Sequence, residues 1–202
     1  MKFSKIVAAI VIGFSLSTPA VAQDPGTPKA LVESFHVKLL ETMKRAEQLG
    51  IKGRYKFLGP SVKKTFDFKL MIALATGKHW RKASDQAKQQ LQAAFSRFSI
   101  ATYADRFSGY SGQTFKTISA SDGPRKTVLV KTQITRPKKS PVPLTYVTRK
   151  RAGQWRIVDV LVDDGISELA TRRSEYRTVL KKNGTQALVR LLNKKTARLL
   201  SR

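Results

Sequence analysis

The chain has 202 residues and no cysteine, and it carries 39 lysines and arginines against 13 acidic residues, a formal charge of +26 at pH 7. This excludes a disulfide framework, thiol catalysis and thiolate metal sites. It also implies a partner with dense negative charge, while a hydrophobic content of 41% is enough for an ordinary globular core.

The N-terminus reads as a secretory signal. Lys2 and Lys5 precede an apolar stretch from Ile6 to Leu16, and Ala20-Val21-Ala22 supplies a small-residue cleavage site. The expectation is cleavage after Ala22, so that residues 1–22 are the signal peptide and 23–202 form one domain. The apolar run is shorter than the about 20 residues needed to span a bilayer, and later apolar runs are broken by charge. With Lys2 and Lys5 removed the charge falls to +24. Nucleic acid is the usual partner of so basic a chain in the cytoplasm. Outside the inner membrane the abundant polyanions are lipid headgroups, each nearby Lys or Arg being worth about 1 kcal/mol. The expected partner is therefore an anionic membrane surface and not nucleic acid.

Thr27-Pro28 is an N-cap followed by proline at the first helical position, and Val32, Phe35, Leu39, Met43 and Ala46 follow at helical spacing. Gly50 and Gly53 end this pattern. Pro60-Ser61 opens a second helical stretch through Phe66, Leu70 and Leu74, stopped by Gly77. Ser84-Asp85 begins a long third helix whose stripe is Leu91, Phe95, Phe98 and Thr102, running to about Phe107.

From Ser108 the period changes. Four β-rich segments are expected near 113–120, 126–136, 143–151 and 154–163. Turn-like separators stand between them: Ser121-Asp122-Gly123-Pro124, the run from Pro137 to Pro141, and Ala152-Gly153. Val128, Val130 and Ile134 alternate on one face of the second strand. Trp155, Ile157, Val158, Val160 and Val162 put apolar groups on both faces of the last, so both faces are expected to be covered. A helix follows over 167–182, with Asn183-Gly184 as its C-cap, and Thr185 caps a terminal helix bearing Leu188, Leu191, Leu192 and Leu199. The fold class is α+β: helices packed on a curved four-stranded antiparallel sheet.

The chain is poor in groups for chemistry. His36 and His79 are its two histidines, neither in a metal-binding spacing, and Ser111 lacks the full G-x-S-x-G pattern of a nucleophile elbow. No metal and no cofactor are expected. Asp67, His79 and Asp159 are the available acid–base groups, and Asp159 interrupts an apolar strand, where a carboxylate needs a donor. The structural reading of all three is favoured. The alternative is an enzyme that works in a cone-shaped cavity between helices and sheet on a lipid or isoprenoid substrate.

Several stretches taken together resemble the MlaC or toluene-tolerance family of periplasmic lipid-binding proteins. They are Phe66-Asp67-Phe68 with Met71, Gly77-Lys78-His79-Trp80-Arg81, Thr102-Tyr103-Ala104, Tyr110-Ser111-Gly112, Trp155-Arg156-Ile157-Val158-Asp159-Val160, Gly165-Ile166-Ser167 and Arg173-Ser174-Glu175-Tyr176. The run from Ile166 to Tyr176, with Gly53-Arg54-Tyr55 ahead of Pro60, is most similar to the hopanoid-biosynthesis-associated branch called HpnM. The first 40 residues after the cleavage site carry little of the pattern. The resemblance implies a nuclear-transport-factor-like fold with an added helical subdomain and a cavity for acyl chains. It further implies a periplasmic carrier between an inner-membrane ABC-type lipid transport complex and an outer-membrane lipoprotein complex. The broad family implies a phospholipid ligand, the narrower branch a hopanoid. Candidate wall residues are Leu70 on the second helical stretch, Leu91, Phe95, Phe98 and Tyr103 on the long helix, and Val130, Ile134, Tyr146 and Trp155 on the strands. About half of them are expected to face the cavity.

Overall fold

A computed structural model describes residues 26–163 and 165–202, so the expected signal peptide over 1–22 and the expected cleavage after Ala22 lie outside the described residues. Helix α1, Pro28–Lys44, starts where the sequence places it, with the Thr27 hydroxyl accepting from the Ala30 amide at 3.1 Å. Its stripe of Val32, Phe35, Leu39 and Met43 is buried, and so is His36. Asp67 caps α3 (Phe68–Thr76), accepting from Leu70 N at 2.9 Å, and Gly77 at φ 54° ends it. A short α4, Lys78–Lys82, which the sequence reading does not contain, leads to α5, Asp85–Arg106, capped by Ser84.

The stretch between α1 and α3 departs from expectation. The glycines do not end the helical region, and Pro60 does not begin one: α2 runs from Ala46 to Thr65 through Gly50, Gly53 and Pro60. Gly50, at φ 56° and ψ 179°, kinks the helix instead of stopping it. Pro60 and Lys56 are both exposed, so the Lys56 carbonyl that loses its partner faces water, which tempers the usual penalty of a buried break. Buried Leu58 and Val62 hold the second half of α2 to the core. Arg54, also buried, donates to the carbonyls of Ala46 at 2.9 Å and Ala104 at 2.8 Å, pinning α2 to the last turn of α5.

The meander is β1 (Thr114–Gly123), β2 (Thr127–Arg136), β3 (Lys139–Arg151) and β4 (Gln154–Val162), extended by a two-residue β5 (Ile166–Ser167); neighbours pair antiparallel in chain order. Among the described residues the sheet thus has five strands, not four. Ala152 and Gly153, both at positive φ, form the two-residue β3–β4 turn that the sequence marks. The β2–β3 connection is tighter than expected, because Arg136 pairs with Lys139 across Pro137-Lys138. Pro141 and Pro143 therefore stand inside β3. They are tolerated because β4 pairs with β3 only from Leu144 onward, which leaves residues 139–143 free on that side. Register shifts at Thr117/Ser119, Ile134/Arg136 and Val147/Thr148 add local twist and bend the sheet.

Helices pack on the face bearing Phe115, Val130, Tyr146 and Ile157: the His36 ring stacks on Phe115 with centroids 4.1 Å apart, and Ile157 O accepts from Asp67 N at 2.9 Å. The opposite face is a correction. Leu129, Val147 and Leu161 point there and are only half-buried, beside exposed Lys131 and Arg149, so that face is not sealed as the inner one is. Finally α6, Glu168–Leu200, runs through the expected boundary with a kink at Gly184, φ 71° and ψ −171°.

Candidate functional site

Between α3, α5, the start of α6 and the inner face of the sheet lies a cavity of about 230 Å³. Its walls are largely aromatic. The Phe66 ring stacks on Phe68 at 5.8 Å, Phe68 meets Phe95 edge-on at 5.8 Å, and Tyr103 stacks on Phe107 at 5.8 Å. Ile134, Leu144, Val160 and Val162 supply the sheet side, and Met71, Phe98 and Leu169 complete the helical side.

Of the candidate wall residues, the structure brings Phe95, Phe98, Tyr103, Ile134 and Tyr146 to this cavity. Leu91 and Val130 are fully buried in the surrounding core without lining it. Leu70 on α3 is half-buried away from the cavity, and Trp155 lies near the β3–β4 turn opposite Lys150. The sequence reading did not single out Phe66, Phe68, Met71, Phe107, Leu144 or Leu169 as wall residues. For Val160 and Val162 a signal existed, since they alternate along β4 with Leu161.

Two inner polar groups pair with each other. Tyr146 Oη and His36 Nε2 share a 3.1 Å hydrogen bond beneath the cavity. Burial pushes His36 down to about 4 and the Tyr146 phenol well above its ordinary value, so both are neutral near pH 7. Burial also raises Tyr103, with Arg106 opposing and Glu168 reinforcing the shift.

Charge enters only at the rim, through Arg106, Glu168 and Arg172, with Ser99 and Thr102 beside them. Arg106 Nη1 is 2.9 Å from Glu168 Oε1, and Arg172 Nη2 is 3.7 Å from Glu168 Oε2. Asp159 fixes this corner: it accepts from Ser167 Oγ, from Leu169 N at 3.0 Å and from Val160 N at 2.8 Å, and so seats the first turn of α6. Asp67, besides capping α3, accepts from Arg151 at 3.2 Å. His79 sits in α4. None of the three acid–base candidates lines the cavity, and the two carboxylates have structural partners. Among the described residues no group of three His, Cys, Asp or Glu is placed to hold a metal, and no helix is long and apolar enough to cross a membrane.

A second, open groove lies on the other side of Phe66 and Phe68, which line both. Lys63, Lys69, Arg97, Arg151 and Arg156 surround it, and Asp67 is its one carboxylate.

A curved sheet capped by helices around an apolar cavity, with ionic groups at its rim, is the form of a site that binds an apolar ligand. A family model described as MlaC protein matches residues 33–194, and the chain belongs to the MlaC family. That match begins at residue 33 and so takes in most of the segment where the motif-level likeness is thin. The fold is similar to that of a phospholipid-binding protein from Ralstonia solanacearum, solved in complex with a phospholipid. The TM-score is 0.74 at 24% identity, with 85% of this chain and 97% of that one covered.

Proposed function

We propose that this protein is a periplasmic carrier that holds the acyl chains of a phospholipid in the cavity and moves the lipid between the inner and outer membranes. The observation that carries the reading is the segregation of the site: aromatic and aliphatic walls inside, three ionic side chains at the rim. Each methylene kept from water is worth about 0.8 kcal/mol, so a chain of about 15 buried methylenes represents on the order of 12 kcal/mol. Free lipid in water is negligible on that scale, and a carrier needs only an apolar cavity, an opening and a reversible docking surface. The cavity, about 230 Å³, is smaller than the roughly 300–1,000 Å³ of drug-sized ligand sites. Loading a diacyl lipid therefore requires the walls to part. In this reading the excess of cations docks the protein on anionic membrane and on its two partners, an inner-membrane ABC-type complex and an outer-membrane lipoprotein complex. Docking then weakens with salt while bound lipid stays, because surface attraction is screened beyond a Debye length of about 10 Å at 0.1 M.

Native mass spectrometry of protein purified from its own envelope, followed by organic extraction, tests the proposal. One lipid per chain is expected. Well-folded protein that arrives empty and takes up no lipid from vesicles overturns it. The run from Ile166 to Tyr176 favours a hopanoid as the second reading, and the same extraction separates the two ligands.

A further inference from the structure

The cluster at the rim has a geometry of its own. Glu168 opens α6 and Arg172 follows one turn later on the same side of the helix. Arg106, in the last turn of α5, reaches across to the first oxygen of Glu168, while Arg172 faces the second. One carboxylate thus holds two guanidinium groups from two helices at the opening of the cavity.

The cluster is anchored against the aromatic wall. The Arg172 guanidinium lies 5.0 Å from the centroid of Phe98, a cavity-lining ring, and Lys195 Nζ lies 5.7 Å from the same ring. Glu175 takes the other side of Arg172 at 3.1 Å and Lys195 at 3.7 Å. Side-chain exposure grades outward, from 17% at Arg172 through 31% at Glu168 to 54% at Arg106. Three cations face two carboxylates here, which leaves one positive charge over. Paired arginines presenting parallel N–H groups suit a tetrahedral phosphate at least as well as a planar carboxylate.

Resting on the carrier reading above, we propose that Arg106 and Arg172 bind the phosphate of the lipid headgroup. Glu168 is the internal competitor that keeps both guanidiniums in place in the empty site and yields to the phosphate on loading. A phosphodiester brings one negative charge and oxygens for both arginines, so it replaces what Glu168 supplies. A neutral hydroxyl headgroup on the same chains offers no ion to exchange and leaves the Arg106–Glu168–Arg172 bridge closed over the opening. The rim therefore selects by headgroup charge, whereas the interior selects by apolar volume.

The test is a one-pot competition. Delipidated protein is incubated in non-ionic detergent with equal amounts of phosphatidylglycerol and diacylglycerol of identical chains, and the bound ratio is read by native mass spectrometry. Wild type is expected to prefer phosphatidylglycerol by about tenfold or more. Arg106→Gln and Arg172→Gln should each bring the ratio down by about tenfold, with the lysine replacements between. Glu168→Gln should move it the other way, raising the ratio by several-fold. Melting temperature is followed for every variant, and the lysine replacements decide the matter if a glutamine variant fails to fold.

A purely structural cluster would lose both lipids together with the ratio unchanged, which overturns the proposal. So does a folded Glu168→Gln protein whose ratio stays level or falls. If inorganic phosphate alone binds the empty protein through Arg106 and Arg172 while the lipid ratio ignores them, the site belongs to free phosphate and the headgroup assignment fails. Equal uptake of both lipids by wild type sinks the headgroup proposal and leaves the carrier standing, whereas uptake of neither sinks the carrier reading itself.

Discussion

Phe66 and Phe68 separate two very different spaces. On one side is the cavity, walled by rings and branched aliphatic side chains, where Tyr146 and His36 pair with each other and are uncharged near pH 7. On the other is a groove open to water and edged by five cations. The five cations of the groove are thus separated from the cavity by the rings of Phe66 and Phe68. Both rings are themselves buried. Apolar side chains thereby face the cavity, while the cations of the groove stay hydrated.

The largest effect is expected on the cavity side of that contrast. Phe95 is nearly fully buried and meets Phe68 and Tyr176 edge-on. Phe95→Ala is expected to cost about 3–5 kcal/mol in urea unfolding, the range for removing a buried aromatic ring.

Acid attacks the cavity floor next. His36 is uncharged in the fold with its pKa lowered from 6.5 to about 4, so the unfolded chain takes up its proton first as pH falls. Stability attributable to neutral His36 is complete above about pH 6.5, declines from there, and is lost by about pH 4, a total of about 3 kcal/mol. The difference between wild type and His36→Gln isolates the histidine. A flat difference between the two proteins across the window would show that His36 is not the group responsible.

The groove should barely respond. Arg151 is about half exposed, whereas the Asp67 side chain is only 10% exposed and keeps its bond from Leu70 N, so Arg151→Ala is expected to cost about 1 kcal/mol, less than either change on the cavity side. Lipid content measured by extraction should not change. Loss of lipid in this variant would mean that the two spaces communicate through Phe66 and Phe68.

Much of the architecture was legible because its signals are local. Thr27-Pro28, Ser84 and Ser167 each cap the helix they precede, and Ala152-Gly153 makes the turn its residues favour. Where local and tertiary preferences conflict, the tertiary ones prevail. Gly50, Gly53 and Pro60 are helix breakers by propensity, yet the burial of Leu58 and Val62 and the two hydrogen bonds of Arg54 carry α2 past them. Leu91 and Phe95 share one stripe of α5, so their sequence spacing could not show that Phe95 reaches the cavity while Leu91 joins the buried cluster with Leu188 and Leu192.

The amino-acid sequence by itself determined the α+β class, the strand order, an apolar interior and the amount of positive charge, since composition, periodicity and capping residues act within a few positions of one another. Only the tertiary structure decided which apolar residues enclose space and which merely fill it. It also decided that Arg106 meets Glu168 from 62 residues away. Such placement depends on how α5, α6 and the sheet pack, because an ion pair between two helices is set by their relative position and leaves no periodic trace in either segment.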